Sequence, residues 1–212
     1  MRNVPALVWV LVVLGVAVIG GYYWKTSRQA PMQAQAEAGY TGGDPANGPV
    51  LEITVAGEAN GVIRVQLLAD TAPKHAERIA TLADEGAYDG VVFHRVIDGF
   101  MAQTGDVEFG KSGGDTSRAG MGGSDYPDLP AEFSDIPYER GIVGMARSAN
   151  PNSANSQFFI MFAPAPNLNG QYTVVGRVLE GLDVLDAIKL GKGRNGAVLG
   201  TPDVMSSVKV AR

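Results

Sequence analysis

The chain has 212 residues, of which 45 % are hydrophobic, enough for one domain with a substantial core and an appendage. Its formal net charge is -5 and no block of Lys or Arg stands out, which argues against a nucleic-acid partner. The absence of cysteine excludes disulfides, thiolate chemistry and Cys-ligated zinc.

From Asn3 to Trp24 the chain runs for about 22 residues without a charge, long enough to cross roughly 30 Å of hydrocarbon as a helix. The run ends in Tyr22, Tyr23 and Trp24, residues that favour the headgroup level. A cleavage-like triplet, Ala34-Gln35-Ala36, lies about ten residues beyond it, too far for an ordinary secretory signal. Residues 1–25 are therefore expected to be an uncleaved membrane anchor. Arg2 is nearly balanced by Lys25 and Arg28, so charge barely sets orientation. The short segment before the anchor favours a globular part on the extracytoplasmic, or periplasmic, side of a cell membrane. Residues 26–48, rich in Ala, Gln, Gly and Pro, have no apolar period and read as a flexible linker.

The globular part is expected over 49–212. Leu51–Val55 and Val62–Leu67 alternate apolar and polar residues, with Asn60-Gly61 between them as a hairpin signal. Thr71-Ala72-Pro73 predicts a helix start, with an apolar face at Ala76, Ile79, Ala80, Leu82 and Ala83 and a stop at Gly86. Phe93–Ile97, Gly141–Ala146, Gln157–Phe162 and Tyr172–Val178 are strand-like, and Leu182–Ile188 predicts a second short helix. Many short strands with two helices suggest a mainly β fold, a closed barrel with helices over its ends.

Three segments carry the chemistry: Val92–Asp106 (VFHRVIDGFMAQTGD), Gly144-Met145-Ala146-Arg147, and Ser156-Gln157-Phe158-Phe159-Ile160. In order and spacing they closely resemble the cyclophilin family of peptidyl-prolyl cis/trans isomerases, and Leu168, Gly170 and Tyr172–Gly176 fit the same pattern. The resemblance implies a closed eight-stranded antiparallel barrel capped by two α-helices. It also implies a groove on the outer surface for proline-containing polypeptide, with no cofactor and no metal. By position, Arg95, Phe100, Met101, Gln103, Ala146, Arg147, Gln157, Phe159, Leu168 and Tyr172 would line that groove, with Arg95 and Gln103 as the catalytic pair. Asn167 stands where many members carry an indole that helps bind cyclosporin, and Tyr172 where many have histidine. The 147–155 and 126–133 segments are similar to those of bacterial members.

Chemistry supports the same residues independently. An Xaa-Pro amide resists twisting by roughly 18–20 kcal/mol because rotation sacrifices resonance. The twisted nitrogen gains a lone pair, so a fixed guanidinium such as that of Arg95 stabilises it more than the planar amide, and no nucleophile is needed. Phe100, Met101, Phe159 and Leu168 supply an apolar seat for the proline ring. The two histidines, His75 and His94, are too few for a metal cluster.

Gly105–Ser112 satisfies the phosphate-loop pattern, yet it runs into Gly113-Gly114-Asp115 instead of a helix, and Asp106 and Glu108 would repel an anion. No nucleotide is expected. Two further readings remain: a non-catalytic module holding a proline-rich partner, and a structural subunit of a membrane assembly recruited through the N-terminal helix.

Overall fold

The computed structural model describes residues 48–211. The expected anchor, 1–25, and all but the last residue of the linker, 26–48, lie outside them. Among the described residues no helix is long and apolar enough to cross a membrane.

Alternation dictates the first hairpin. In β1 (Val50–Ala56) Leu51, Ile53 and Val55 are buried and the residues between them exposed, and β1 pairs antiparallel with β2 (Gly61–Leu67). The connection is wider than Asn60-Gly61 suggests. Residues 57–60 form the turn, and the Asn60 side-chain amide donates to the Gly57 carbonyl at 2.8 Å. Downstream lie β3 (Val91–Val92), β4 (Arg95–Ile97), β5 (Met101–Thr104), β6 (Ile142–Met145), β7 (Phe158–Met161), β8 (Val174–Glu180) and β9 (Val204–Ala211). All pairs are antiparallel, in one nine-stranded sheet of order β3-β9-β1-β2-β8-β6-β7-β5-β4.

The hydrogen-bonded ladder runs as a series of nine strands, where eight were expected. Its two ends, β3 and β4, are separated in the chain only by Phe93 and His94. The expected strand Phe93–Ile97 begins two residues late, at Arg95. The last strand, Val204–Ala211, was not expected, because its alternation (VMSSVKVA) is weak.

Two apolar clusters form on opposite faces of the sheet. The larger gathers Ile53, Ile63, Val65, Val96, Ala102, Val143, Ile160, Val175 and Met205, with Ile79 and Leu82 of α1 (Pro73–Asp84) and Leu185 of α2 (Leu182–Asp186). The smaller comprises Leu68, Met101, Tyr138, Ile142, Phe159, Met161, Ala165, Leu168 and Val174. Because successive side chains of a strand point to opposite faces, neighbours such as Phe159 and Ile160 belong to different clusters.

The start of α1 also departs from expectation. Thr71 does not cap it; Ala72 occupies the cap position without a side-chain hydrogen bond. Glu132 supplies the acceptor instead. Its carboxylate takes the backbone amides of Lys74 (3.1 Å) and His75 (3.2 Å) and contacts His75 Nδ1 at 2.7 Å. The anion thus sits at the positive end of the helix and satisfies orphan amides that the local sequence leaves open.

Candidate active site

Strand register builds the site. Arg95 on β4 stands opposite Gln103 on β5, Gln103 opposite Phe159 on β7, and Phe159 opposite Gly144 on β6. These four positions form one row across four strands. Two residues along, Met101 pairs with Ile97 and Met161, which places Met101 on the same face as Gln103. A register shift between Val143 and Gly144, where β6 pairs with β8, kinks the sheet beside the row.

The row is the floor of a groove of about 160 Å³ lined by Arg95, Phe100, Met101, Gln103, Ala146, Arg147, Phe159, Leu168 and Tyr172. Nine of the ten residues expected at the site thus meet. Gln157 does not line the groove; it lies behind Gln103, taking a hydrogen bond from Gln103 Nε2 at 3.0 Å and donating to the Gly122 carbonyl at 2.8 Å. That places Gln103 Oε1 toward Arg95, whose Nη1 donates to it at 3.1 Å. The three amide groups therefore share one polarity from Gly122 to the guanidinium.

The apolar wall is held in part by Tyr138 and Asn169, which the sequence motifs do not include. Tyr138 stacks beneath Phe159 with ring centroids 5.8 Å apart, and Tyr172 meets Phe159 edge-on at 5.9 Å. Asn169 Oδ1 accepts from the Tyr138 amide at 2.8 Å, and the Ala165 amide donates to the Tyr138 carbonyl at 2.8 Å. These bonds fix the 3-10 turn Pro166–Leu168 that presents Leu168. Gly144 is required here: a Cβ at that position would run into both the Tyr138 hydroxyl and the Phe159 ring. At the rim, the Arg147 guanidinium lies 4.3 Å from the Tyr172 ring centroid and donates to the carbonyls of Gln171 and Ser148.

Arg95 is the electrostatic centre. Its Nε donates to the Asn195 carbonyl at 3.0 Å and its Nη2 to Asn195 Oδ1 at 3.3 Å, while Nη1 also approaches Met101 Sδ at 3.8 Å. Partial burial lowers its pKa, an effect opposed by the Tyr172 phenol. A guanidinium nonetheless remains protonated throughout the physiological range. Among the described residues no carboxylate lies within ion-pair distance of Arg95 or Arg147.

Elsewhere, the phosphate-loop look-alike is filled by its own side chains. Asp106 accepts the amides of Glu108, Phe109, Gly120 and Gly122, and Lys111 donates to the carbonyls of Ala87 and Asp89. Among the described residues no group of three or more His, Cys, Asp or Glu side chains is arranged to hold a metal ion.

A curled antiparallel sheet with two helices and an arginine-centred groove on its outer face defines a cyclophilin-type protein. Residues 50–210 match the family model described as cyclophilin type peptidyl-prolyl cis-trans isomerase/CLD, and the chain belongs to that family. It is 60 % identical over 158 residues to a Brucella suis protein named "Probable peptidyl-prolyl cis-trans isomerase", covering 73 % of this chain and 78 % of that one. A peptidyl-prolyl cis-trans isomerase of Arabidopsis thaliana is 42 % identical over 129 residues, covering 61 % of this chain and 77 % of its own. Among solved structures, a cyclophilin type isomerase of Cryptosporidium parvum superposes with TM-score 0.66 at 25 % identity, covering 77 % of this chain and 98 % of that one. The same Cryptosporidium protein in the presence of the dipeptide Ala-Pro superposes at TM-score 0.64 and 24 % identity, covering 77 % and 99 %. Members of this family catalyse cis/trans isomerisation of Xaa-Pro peptide bonds.

Proposed function

We propose that the groove seats the proline of an extended polypeptide against Phe100, Met101, Phe159 and Leu168 while Arg95 stabilises the twisted amide. The observation that carries this reading is the guanidinium of Arg95, held by neutral acceptors at the edge of an apolar groove. As the C–N bond rotates, the prolyl nitrogen becomes pyramidal and presents a lone pair, and a donor fixed beside it gains strength in that state alone. Gln103 and backbone groups near Arg147 hold the substrate carbonyls on one side of the twisting bond. No bond to the protein forms or breaks. A charge-assisted hydrogen bond contributes about 1.5–3 kcal/mol, or about one to two decades of rate, so the dry apolar seat must supply the remainder of any larger acceleration.

The decisive test is prolyl isomerisation of a short Xaa-Pro peptide by the full-length protein beside a folded Arg95→Ala variant. Acceleration that falls by about 10–100-fold in the variant is expected. Undiminished turnover would remove Arg95 from the mechanism, and a folded wild-type protein without turnover would favour a proline-peptide binding module.

Two further readings belong to this proposal. Residues 91–97 form one strand bent at Phe93-His94, so that the sheet closes as an eight-stranded barrel. Its support is the backbone pairing at the bend, Phe93 N to Asp203 O at 2.9 Å and Val198 N to His94 O at 3.0 Å. Amide exchange at Phe93 as slow as at Ile53 is the expected result, and fast exchange there would leave the barrel open. The uncharged run Asn3–Trp24 anchors the domain to a membrane, with the domain outside the cytoplasm. Release of the protein from membranes by alkaline carbonate, or resistance of the domain to protease added outside intact cells whose outer wall has been removed, would overturn that placement.

A further inference from the structure

We propose that Asn195 is a positioning residue for Arg95, holding its guanidinium through two neutral acceptors that fix its direction without quenching its charge. The inference rests on the reading of Arg95 as the donor to the twisting amide. Asn195 accepts twice, through its backbone carbonyl from Nε and through Oδ1 from Nη2, while Gln103 takes Nη1. The guanidinium is thereby held at both ends of its plane. Among the described residues one Nη2 hydrogen has no acceptor, and the weak contact of Nη1 with Met101 Sδ is easily exchanged for a better one.

The backbone of Asn195 argues for the same role. It is the only non-glycine residue with positive φ among the described residues, at φ 56 and ψ 31. Glycine adopts that conformation with no steric penalty, and asparagine tolerates it at some cost. A side chain kept in a glycine-favouring position is explained by what its oxygen does, and that oxygen bonds Arg95. The turn that carries it cannot drift from β4: Gly191 N donates to Val96 O at 2.9 Å, Val198 N to His94 O at 3.0 Å, and Ala197 bridges to Arg95. Gly193 N closes the turn on Ala197 O at 2.9 Å, and a Cβ at Gly196 would strike the Ile97 side chain.

Neutrality is the second half of the design. An aspartate at 195 would offer the same acceptor geometry but pair with the guanidinium, reducing the positive potential available to the prolyl nitrogen.

The test compares Asn195→Gly and Asn195→Asp with the full-length wild type in peptide isomerisation and thermal unfolding. Asn195→Gly should unfold at the same temperature or higher, because the strained φ is relieved. It should nevertheless lose about 3–10-fold in kcat with little change in KM, the loss expected when one long hydrogen bond to a neutral acceptor no longer orients the guanidinium. Asn195→Asp should likewise keep its stability and lose kcat. A purely structural role predicts activity that follows stability, so wild-type kcat in either folded variant overturns the proposal. Adding Asn195→Gly to Arg95→Ala should cost nothing further, whereas a full additional loss would show that Asn195 acts other than through Arg95. If Arg95→Ala alone leaves turnover intact, the reading of Arg95 fails; if it collapses while Asn195→Gly does not, the positioning role alone fails.

Discussion

On β4, β5 and β7, the side chains of one face and those of the other have different fates. Val96, Ala102 and Ile160 are fully buried in the larger cluster. Their chain neighbours Arg95, Met101, Gln103 and Phe159 turn to the opposite face and meet at the groove. The inner set is generic, small or aliphatic, and its contribution is area removed from water. The outer set mixes a cation, an amide, a thioether and an aromatic ring, and its contribution is directional. A period of two therefore lets one strand carry stability and chemistry side by side with little interference.

Adjacent substitutions should separate the two faces. The largest contrast is expected between Arg95→Ala, which loses activity while unfolding near the wild-type temperature, and Val96→Ala. The latter should lower stability by about 1–3 kcal/mol in denaturant titration, yet keep turnover per folded molecule. Equal losses in both quantities for both variants would collapse the distinction. Gly144→Ala breaks it from the groove side. The added methyl must displace Tyr138 or Phe159, so we expect about 1–3 kcal/mol of lost stability and a raised KM as the proline seat shifts.

Glu132 lies on neither face and sharpens the comparison at the end of α1. Glu132→Ala removes the acceptor for two helix amides and the partner of His75, and should cost about 1–2 kcal/mol by calorimetry with kcat unchanged. The last expected effect is one of pH. Burial lowers the pKa of His94 to about 4, with Asp106 opposing and Arg95 assisting, so the folded state binds this proton less well than the unfolded chain, whose histidine titrates near 6.5. The stability that depends on neutral His94 is complete above about pH 6.5 and is lost as the pH falls toward 4. His94→Phe should unfold with a shallower pH dependence between these limits, and an unchanged slope would show that His94 titrates normally.

Much of the site was legible because its residues are close in sequence to one another and lie at strand spacing. Arg95, Met101 and Gln103 come from one continuous segment, and Ala146, Arg147 and Phe159 from two others with strong motifs. Gln157 was assigned to the groove because it belongs to such a motif, yet its amide is spent on Gln103 and Gly122. Tyr138 and Asn195 were not visible, since nothing in their local sequence points to Phe159 or Arg95. A glycine-flanked Asn between Arg194 and Gly196 was the one available signal, and it predicts a turn, not a clamp.

By itself the sequence determined the family, the mainly β pattern, the two helices and most of the groove, because alternation, turn residues and short motifs are local properties of a chain. Only the tertiary structure decided which strands became neighbours, and that pairing put Arg95, Gln103, Phe159 and Gly144 in one row. It also decided that Glu132 caps a helix 58 residues away and that Asn195 grips an arginine 100 residues before it. Such contacts join distant parts of the chain, and their energies depend on closing long loops around a shared core, which no local pattern encodes.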